Sequence, residues 1–249
     1  MMRKNILITG ASSGLGQEMA RQYAALGRNL VLCARRKEAL QELAKELSEK
    51  FPEQQILVMP LDVNDDAEVF HVFKEAKAQL GVLDRVIVNA GIGQGGSIGK
   101  GFFAANKRTA MTNFVAALAQ CEAAMEIFRE QNDGHLVTIS SVSSERGFRG
   151  AFTTYAATKA GIASLTEGIR IDVLHKPIAV TTIHPGYIAT DIIDKGNTPP
   201  FMVDAPTGCK SIIKAIEKEV DKAFVPTWPW AVVRYLLAWL PLRMMRKFS

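Results

Sequence analysis

Short aliphatic runs recur along this chain, and a longer stretch with helical spacing separates each from the next. The runs are Asn5–Ile8, Asn29–Ala34, Ile56–Met59, Arg85–Val88, His135–Ile139 and Ile178–Ile183. They are apolar throughout rather than alternating, the pattern of strands buried on both faces. Helical spacing runs over 17–26, 37–50, 65–80 and 109–129, and again around Tyr155. Parallel strands need a crossover, usually a helix. The alternation therefore predicts an α/β protein: one doubly wound parallel sheet of about seven strands, helices on both faces, ligand outside the carboxyl ends of the strands. Its 249 residues suit one large domain. A domain of that size buries roughly 70–75% of its unfolded surface. No internal repeat or low-complexity linker interrupts it.

The first strand runs into Thr9-Gly10-Ala11-Ser12-Ser13-Gly14-Leu15-Gly16, and a helix follows. Strand, glycine-rich turn and helix are the context of a dinucleotide-binding turn. Gly10 permits the tight turn, Gly14 lets backbone approach a pyrophosphate, and Gly16 lets the helix pack on the strand. The helix N-terminus offers free N–H groups to phosphate. Two extra residues separate the first glycines relative to G-x-G-x-x-G.

An NAD-specific site places Asp or Glu near the end of the second strand. Here stands Ala34, followed by Arg35 and Arg36. A guanidinium can hold a 2′-phosphate through paired N–H bonds. The sequence leans to NADP, with Arg35 as the phosphate ligand and Arg36 as the start of a solvated helix. Asp62 either accepts from the adenine amino group or caps the next helix. Asn89-Ala90-Gly91 ends the fourth strand with residues small enough for backbone to lie against a ribose. Residues 92–101 are glycine-rich and predict a mobile loop over the site. Gly99-Lys100 has neither the first Gly nor the Ser/Thr of a P-loop.

Tyr155 and Lys159 are four residues apart, on one helix face. A neighbouring cation favours a phenolate and lowers a Tyr pKa from about 10. Such a pair can act as a general acid–base device. Ser140 and Ser141 end the fifth strand; Asn113 is expected in the first turn of the helix over 109–129.

Together, Thr9-Gly-x-x-x-Gly14-x-Gly16, Asn89-Ala-Gly91, Asn113, Ser140-Ser141, Tyr155-x-x-x-Lys159 and Pro185-Gly186 make the chain resemble the short-chain dehydrogenase/reductase family. The resemblance covers nearly the whole length. It implies a Rossmann-type fold and NAD(P)-dependent hydride transfer between a carbonyl and an alcohol. By position it implies Tyr155 as acid and base, Lys159 as its partner and ribose ligand, and Ser141 on the substrate oxygen. It gives Asn113 a helix kink and a water of a proton relay, and Thr190 the nicotinamide carboxamide. Ser12, Ser13, Leu15, Val63, Pro185, Gly186 and Ile188 would complete the cofactor cleft. The sequence departs from the family pattern at Val88, where Asn is usual, and in a Ser141–Tyr155 interval one residue longer than usual, which leaves Ser140 as the alternative to Ser141. Ser143 and Ser144 read as loop residues. The helices from Thr109 and Thr153 would form oligomer faces, implying a homodimer or homotetramer.

Composition removes other classes. Net charge is +5, with no dense basic stripe of the kind nucleic acid demands. The three cysteines are far apart, the four histidines share no spacing, and no metal is expected. No signal peptide opens the chain, so the cytoplasm is the expected location. Residues 1–227 read as the domain, with a substrate lid at 187–207. Within the lid Ile188, Ile192, Ile193, Phe201 and Met202 suggest an apolar roof and a hydrophobic substrate: ketone, steroid, retinoid or lipid. The tail, 228–249, combines Trp228, Trp230 and Trp239 with a basic end. It suits either a helix packed on the domain or one lying at the inner membrane face. Two alternatives to a carbonyl reductase stay open. One is a 3-oxoacyl-thioester reductase, with Lys100, Lys107 and Arg108 facing a carrier. The other is a non-catalytic NADP(H)-sensing or scaffold protein on the same fold.

Overall fold

The computed structural model describes residues 3–190 and 199–248. Strands β1 (Asn5–Thr9), β2 (Asn29–Ala34), β3 (Ile56–Pro60), β4 (Arg85–Val88), β5 (Gly134–Ile139), β6 (Ile178–Pro185) and β7 (Lys222–Val225) form one sheet. Its order is β3-β2-β1-β4-β5-β6-β7, and every pairing is parallel. The order reverses between β1 and β4, which opens the crevice where ligands of such sheets bind. This is the Rossmann-type doubly wound architecture that the alternation predicts. The aliphatic runs are buried because helices cover both faces: Leu7, Val31 and Val86 face one core, Ile6, Ile8 and Ile87 the other.

Helices α1 (Gly14–Ala25), α2 (Lys37–Lys50) and α3 (Asp66–Leu80) follow the first three strands. Asp65, not Asp62, caps α3, its carboxylate accepting from the Glu68 N–H. The helix expected from Thr109 begins six residues earlier. It comprises α4 (Phe103–Ala110), a π-turn (Met111–Val115) and α5 (Ala116–Gln131), so Asn113 lies in mid-helix at a π-bulge. Helix α6 (Phe152–Asp172) is preceded by a 3₁₀ turn (Val142–Glu145). Helix α7 (Ala205–Glu217) starts where Asp204 accepts from the Thr207 N–H, with Pro206 in its first turn. Helices α8 (Thr227–Trp239) and α9 (Leu242–Phe248) form the tail. Among the described residues no helix is long and apolar enough to cross a membrane.

An ion network ties the amino ends of the strands together, opposite the crevice. Arg85, the first residue of β4, is almost fully buried. It donates to His135 Nδ1 at 2.9 Å and pairs with Glu217, which Arg28 also holds at 2.8 Å. Arg3 adds Glu219 and Asp133. His135 is held well below its usual pKa, by burial first and then by the Arg85 and Arg3 charges.

Candidate active site

The glycine turn is a preformed cradle. Thr9 Oγ1 accepts from the N–H groups of Asn89 and Ala90, and Asn89 Nδ2 donates back to the Thr9 carbonyl at 2.9 Å. A Cβ on Gly10 would press on the Ala90 backbone, and one on Gly16 would strike the Gly10 carbonyl. At Gly14, φ is +56° and only Thr190 comes near. Helix α1 opens at Gly14 with no side-chain cap and no acidic residue in its first turn. Its free N–H groups and positive dipole end suit the phosphates of a dinucleotide. Spacing gives Thr9 no role of its own, although its hydroxyl locks the turn to Asn89.

Arg36 does more than start the solvated helix expected of it. Arg36 reaches into the turn, its guanidinium donating to Ser12 Oγ at 3.1 and 3.2 Å and to Ser13 Oγ at 2.6 Å. Arg35 is exposed and its charge acts on Asp62. Burial works against the charged form of Asp62, but hydrogen bonds from Asn64 and the Arg35 charge outweigh it, and its pKa falls. Asp62 is therefore a carboxylate at the end of β3, its Oδ1 accepting from Asn64. Val63 is buried in the core.

Ser140 and Ser141 point to different tasks. Ser140 donates to the Lys159 carbonyl at 2.7 Å and so ties β5 to α6. Ser141 lies near enough to the Tyr155 hydroxyl to favour its ionised form. Ser143, read from sequence as a loop residue, donates to Ser141 through both its N–H (3.1 Å) and its hydroxyl (2.9 Å). The 3₁₀ turn folds it back, and no spacing rule marks that. Ser144 contacts His184 Nδ1, which also lies 3.2 Å from the Ser141 carbonyl. His184 stacks on Phe224 and is buried, and burial lowers its pKa to about 3.

Lys159 sits beneath this cluster. Its Nζ donates to the Ile139 carbonyl at 2.8 Å and lies 5.7 Å from the centroid of the Tyr155 ring. Burial lowers its pKa to about 8. The expected direction for Tyr155 is reversed: enclosure of its hydroxyl raises the pKa more than Ser141 lowers it. The ammonium donates to a carbonyl and faces the ring of the phenol rather than bonding its hydroxyl. Asn113 sits at the break in its helix. Its amide bonds Ile92, accepting from the N–H and donating to the carbonyl, both at 2.8 Å. It thus holds the backbone after Gly91, which lies between Asn113 and Lys159.

The loop expected to be mobile is pinned by α4 and the π-turn. Asn106 bonds both backbone groups of Gly96, and Thr109 donates to the Gln94 carbonyl at 2.6 Å. Across the crevice, Pro185 is buried at the end of β6 and the Gly186 N–H donates to the Val225 carbonyl. Trp230 of α8 lies on Gly186 and meets Tyr187 and Phe201 edge-on. Ile188 does not roof this space: it is buried in the core against Gly208 of α7. Of the other roof candidates, Phe201 is exposed, Met202 is half-buried, and Ile192 and Ile193 lie outside the described residues. Among the described residues no group of acidic, His or Cys side chains is placed to hold a metal.

A nucleotide cradle beside a Ser–Tyr–Lys cluster, on a sheet of this order, defines the short-chain dehydrogenase class. The short chain dehydrogenase family profile matches residues 4–199, and the chain belongs to that family of oxidoreductases. It is 50% identical over 247 residues to an uncharacterized oxidoreductase of Mycobacterium tuberculosis, covering 99% of this chain and 98% of that one. A Sphingobium yanoikuyae short-chain dehydrogenase solved in complex with NADPH superposes with a TM-score of 0.82 at 25% identity, over 94% of this chain and 92% of that one. A Burkholderia phymatum member solved in complex with NAD gives 0.83 at 21% identity, over 94% of each chain.

Proposed function

We propose that the protein is an NADP(H)-dependent oxidoreductase that interconverts a carbonyl and an alcohol on a hydrophobic substrate. The observation that carries the reading is the Ser141–Tyr155–Lys159 cluster beside the glycine cradle. NADPH, when bound, supplies the hydride. Tyr155 passes the proton of its hydroxyl to the substrate oxygen, and in oxidation takes it back. Ser141, held by Ser143, donates a hydrogen bond to the same oxygen as charge builds on it. Lys159 keeps its proton below about pH 8 and stabilises the phenolate Tyr155 becomes. A non-catalytic sensor has no use for this acid–base set.

The absence of a carboxylate at the end of β2 supports NADP, with Arg35 and Arg36 both within the region a 2′-phosphate would occupy. Ser12 and Ser13 would hold the adjoining oxygens, and Asp62 the adenine edge. Thr190, close to Gly14, would hold the nicotinamide carboxamide. Tyr187, Phe201, Trp230 and Val142 form an aromatic and aliphatic wall, which favours an apolar substrate. Exposed Lys100, Lys107 and Arg108 keep a carrier-bound thioester among the compounds to try. Exposed Phe103, Met111 and Leu118 on α4 to α5 and Ile171 on α6 support a homodimer or homotetramer.

The test is fluorescence titration with NADPH and NADH, then a carbonyl screen with the preferred cofactor. Turnover of apolar ketones that Tyr155→Phe abolishes is the expected result. Turnover of small polar sugars alone would overturn the substrate class, and no binding of either cofactor would overturn the enzyme reading.

A further inference from the structure

Helix α8 is apolar on both sides, though among the described residues only one side is packed against the domain. Its inner face sets Trp230 and Val233 against Val142, Phe224 and Tyr187. Arg146 secures the helix from below, donating to the carbonyls of Leu237 and Ala238. The outer face carries Val232, Tyr235, Leu236 and Trp239, which repeat at the spacing of one helical stripe, and Trp228, whose backbone is not helical, stands exposed just before it. Leu242 and Met244 of α9 extend it. Trp228, Trp239 and Leu242 are 76%, 87% and 75% exposed. A contiguous apolar face of this kind marks an interaction surface.

Charge identifies the occupant. After Asp221 the chain has no Asp or Glu, but it has Lys222, Arg234, Arg243, Arg246 and Lys247. These five positive charges equal the net charge of the whole chain, +5. Lys222 is paired with Glu145. Arg243 and Arg246 are exposed and make no ion pair among the described residues. A second copy of the chain would bring the same cations together, whereas an anionic surface complements them. Exposed Trp and Leu flanked by Arg and Lys are what a helix needs to lie in the headgroup layer.

We infer that α8 and α9 dock this protein onto an anionic phospholipid surface, with Trp228 and the stripe from Val232 to Met244 in the headgroup layer. The inference is independent of the catalytic reading. Its stripe starts beside Trp230 and Phe201, so docking would bring the aromatic wall of the crevice close to the lipid.

The experiment is flotation of the full chain with phosphatidylcholine vesicles, with and without phosphatidylglycerol. It is run in about 0.1 M and about 1 M salt, where the Debye length is about 10 and 3 Å. Two variants accompany it: Trp239→Glu with Leu242→Glu, and Arg243→Glu with Arg246→Glu. Thermal melts check folding. Expected are binding to phosphatidylglycerol vesicles that weakens in high salt, loss of binding in the first variant, and at least about a tenfold drop in the second. If the first variant fails to fold, the second and the salt dependence decide. Absence of vesicle binding by wild type overturns the inference, as does binding unchanged by either variant. A size-exclusion shift to monomer in the first variant, without vesicle binding by wild type, would assign the face to a second copy.

Discussion

Gly186 and Trp230 touch: a Cβ on the glycine would collide with the indole nitrogen. That nitrogen is buried and finds no hydrogen-bond partner among the described residues. The tail is thus part of the crevice wall, and removing it whole would strip that wall as well as the exposed stripe. Gly186→Ala should displace α8 locally. Overpacking of this kind costs about 1–3 kcal/mol. Thermal unfolding should show the loss, with a raised KM for apolar substrates. A variant with wild-type Tm and KM would mean that Trp230 moves aside at no cost.

Tyr155→Phe keeps the ring beside Lys159 and removes only the hydroxyl. Activity should be lost, with cofactor affinity unchanged. Ser141→Ala should cost about 10²–10³-fold in kcat, the scale of one lost oxyanion donor. Ser143→Ala, which frees Ser141 to rotate, should cost less than Ser141→Ala. Steady-state kinetics on the three variants checks the ranking, and equal losses for the two serines would deny Ser141 its direct role.

Arg36→Ala should weaken NADPH by about 1.5–3 kcal/mol, the worth of a hydrogen bond to a charged group, and leave NADH alone. Arg35→Ala should act in the same direction. Paired titrations of both cofactors measure it. If NADH weakens as much as NADPH, Arg36 is shaping the glycine turn and not reading the phosphate.

His184 should make the fold acid-sensitive. Its folded pKa, about 3, lies below the roughly 6.5 of an unfolded histidine, so the unfolded chain takes up the proton first as pH falls. Stability is full above about pH 6.5 and declines toward about pH 3, by up to about 1.4 kcal/mol per pH unit from this group. His135 acts in the same direction. Urea unfolding at pH 7 and pH 5 should show the decline, with a shallower slope in His184→Phe. Equal slopes would show that His184 is not the group responsible.

Arg85→Ala leaves Glu217 and His135 without their buried partner. The loss should be about 3 kcal/mol, the lower end for breaking a buried pair, because Glu217 is partly open to water. Denaturant midpoints report it. The network lies at the far end of the strands, so kcat in the folded variant should not change.

What could be read from the sequence was local. Strand runs, the glycine turn and the Tyr155–Lys159 step depend on neighbours a few residues away, and each lies where expected. The misreadings involve contacts or enclosure that no short window contains. That Arg36 turns back to Ser12 and Ser13 depends on how α2 leaves β2. Ser143 joins the site because a 3₁₀ turn doubles back. Ile188 faces the core because Gly208 of α7 leaves room there. The Tyr155 pKa is set by enclosure, which spacing does not report. Asn113 was legible as a site residue, but the start of its helix was not, because Phe103 to Arg108 shows a weak apolar stripe.

The π-turn at Met111–Val115 also constrains how the gene can drift. It holds one residue more than a regular helix would use there. Deleting one codon in this stretch would restore unbroken α-helix with both flanks in phase, but it would remove the widened turn from which Asn113 reaches both backbone groups of Ile92. Substitutions along the exposed side of α4 can accumulate, while the number of residues in the π-turn cannot change.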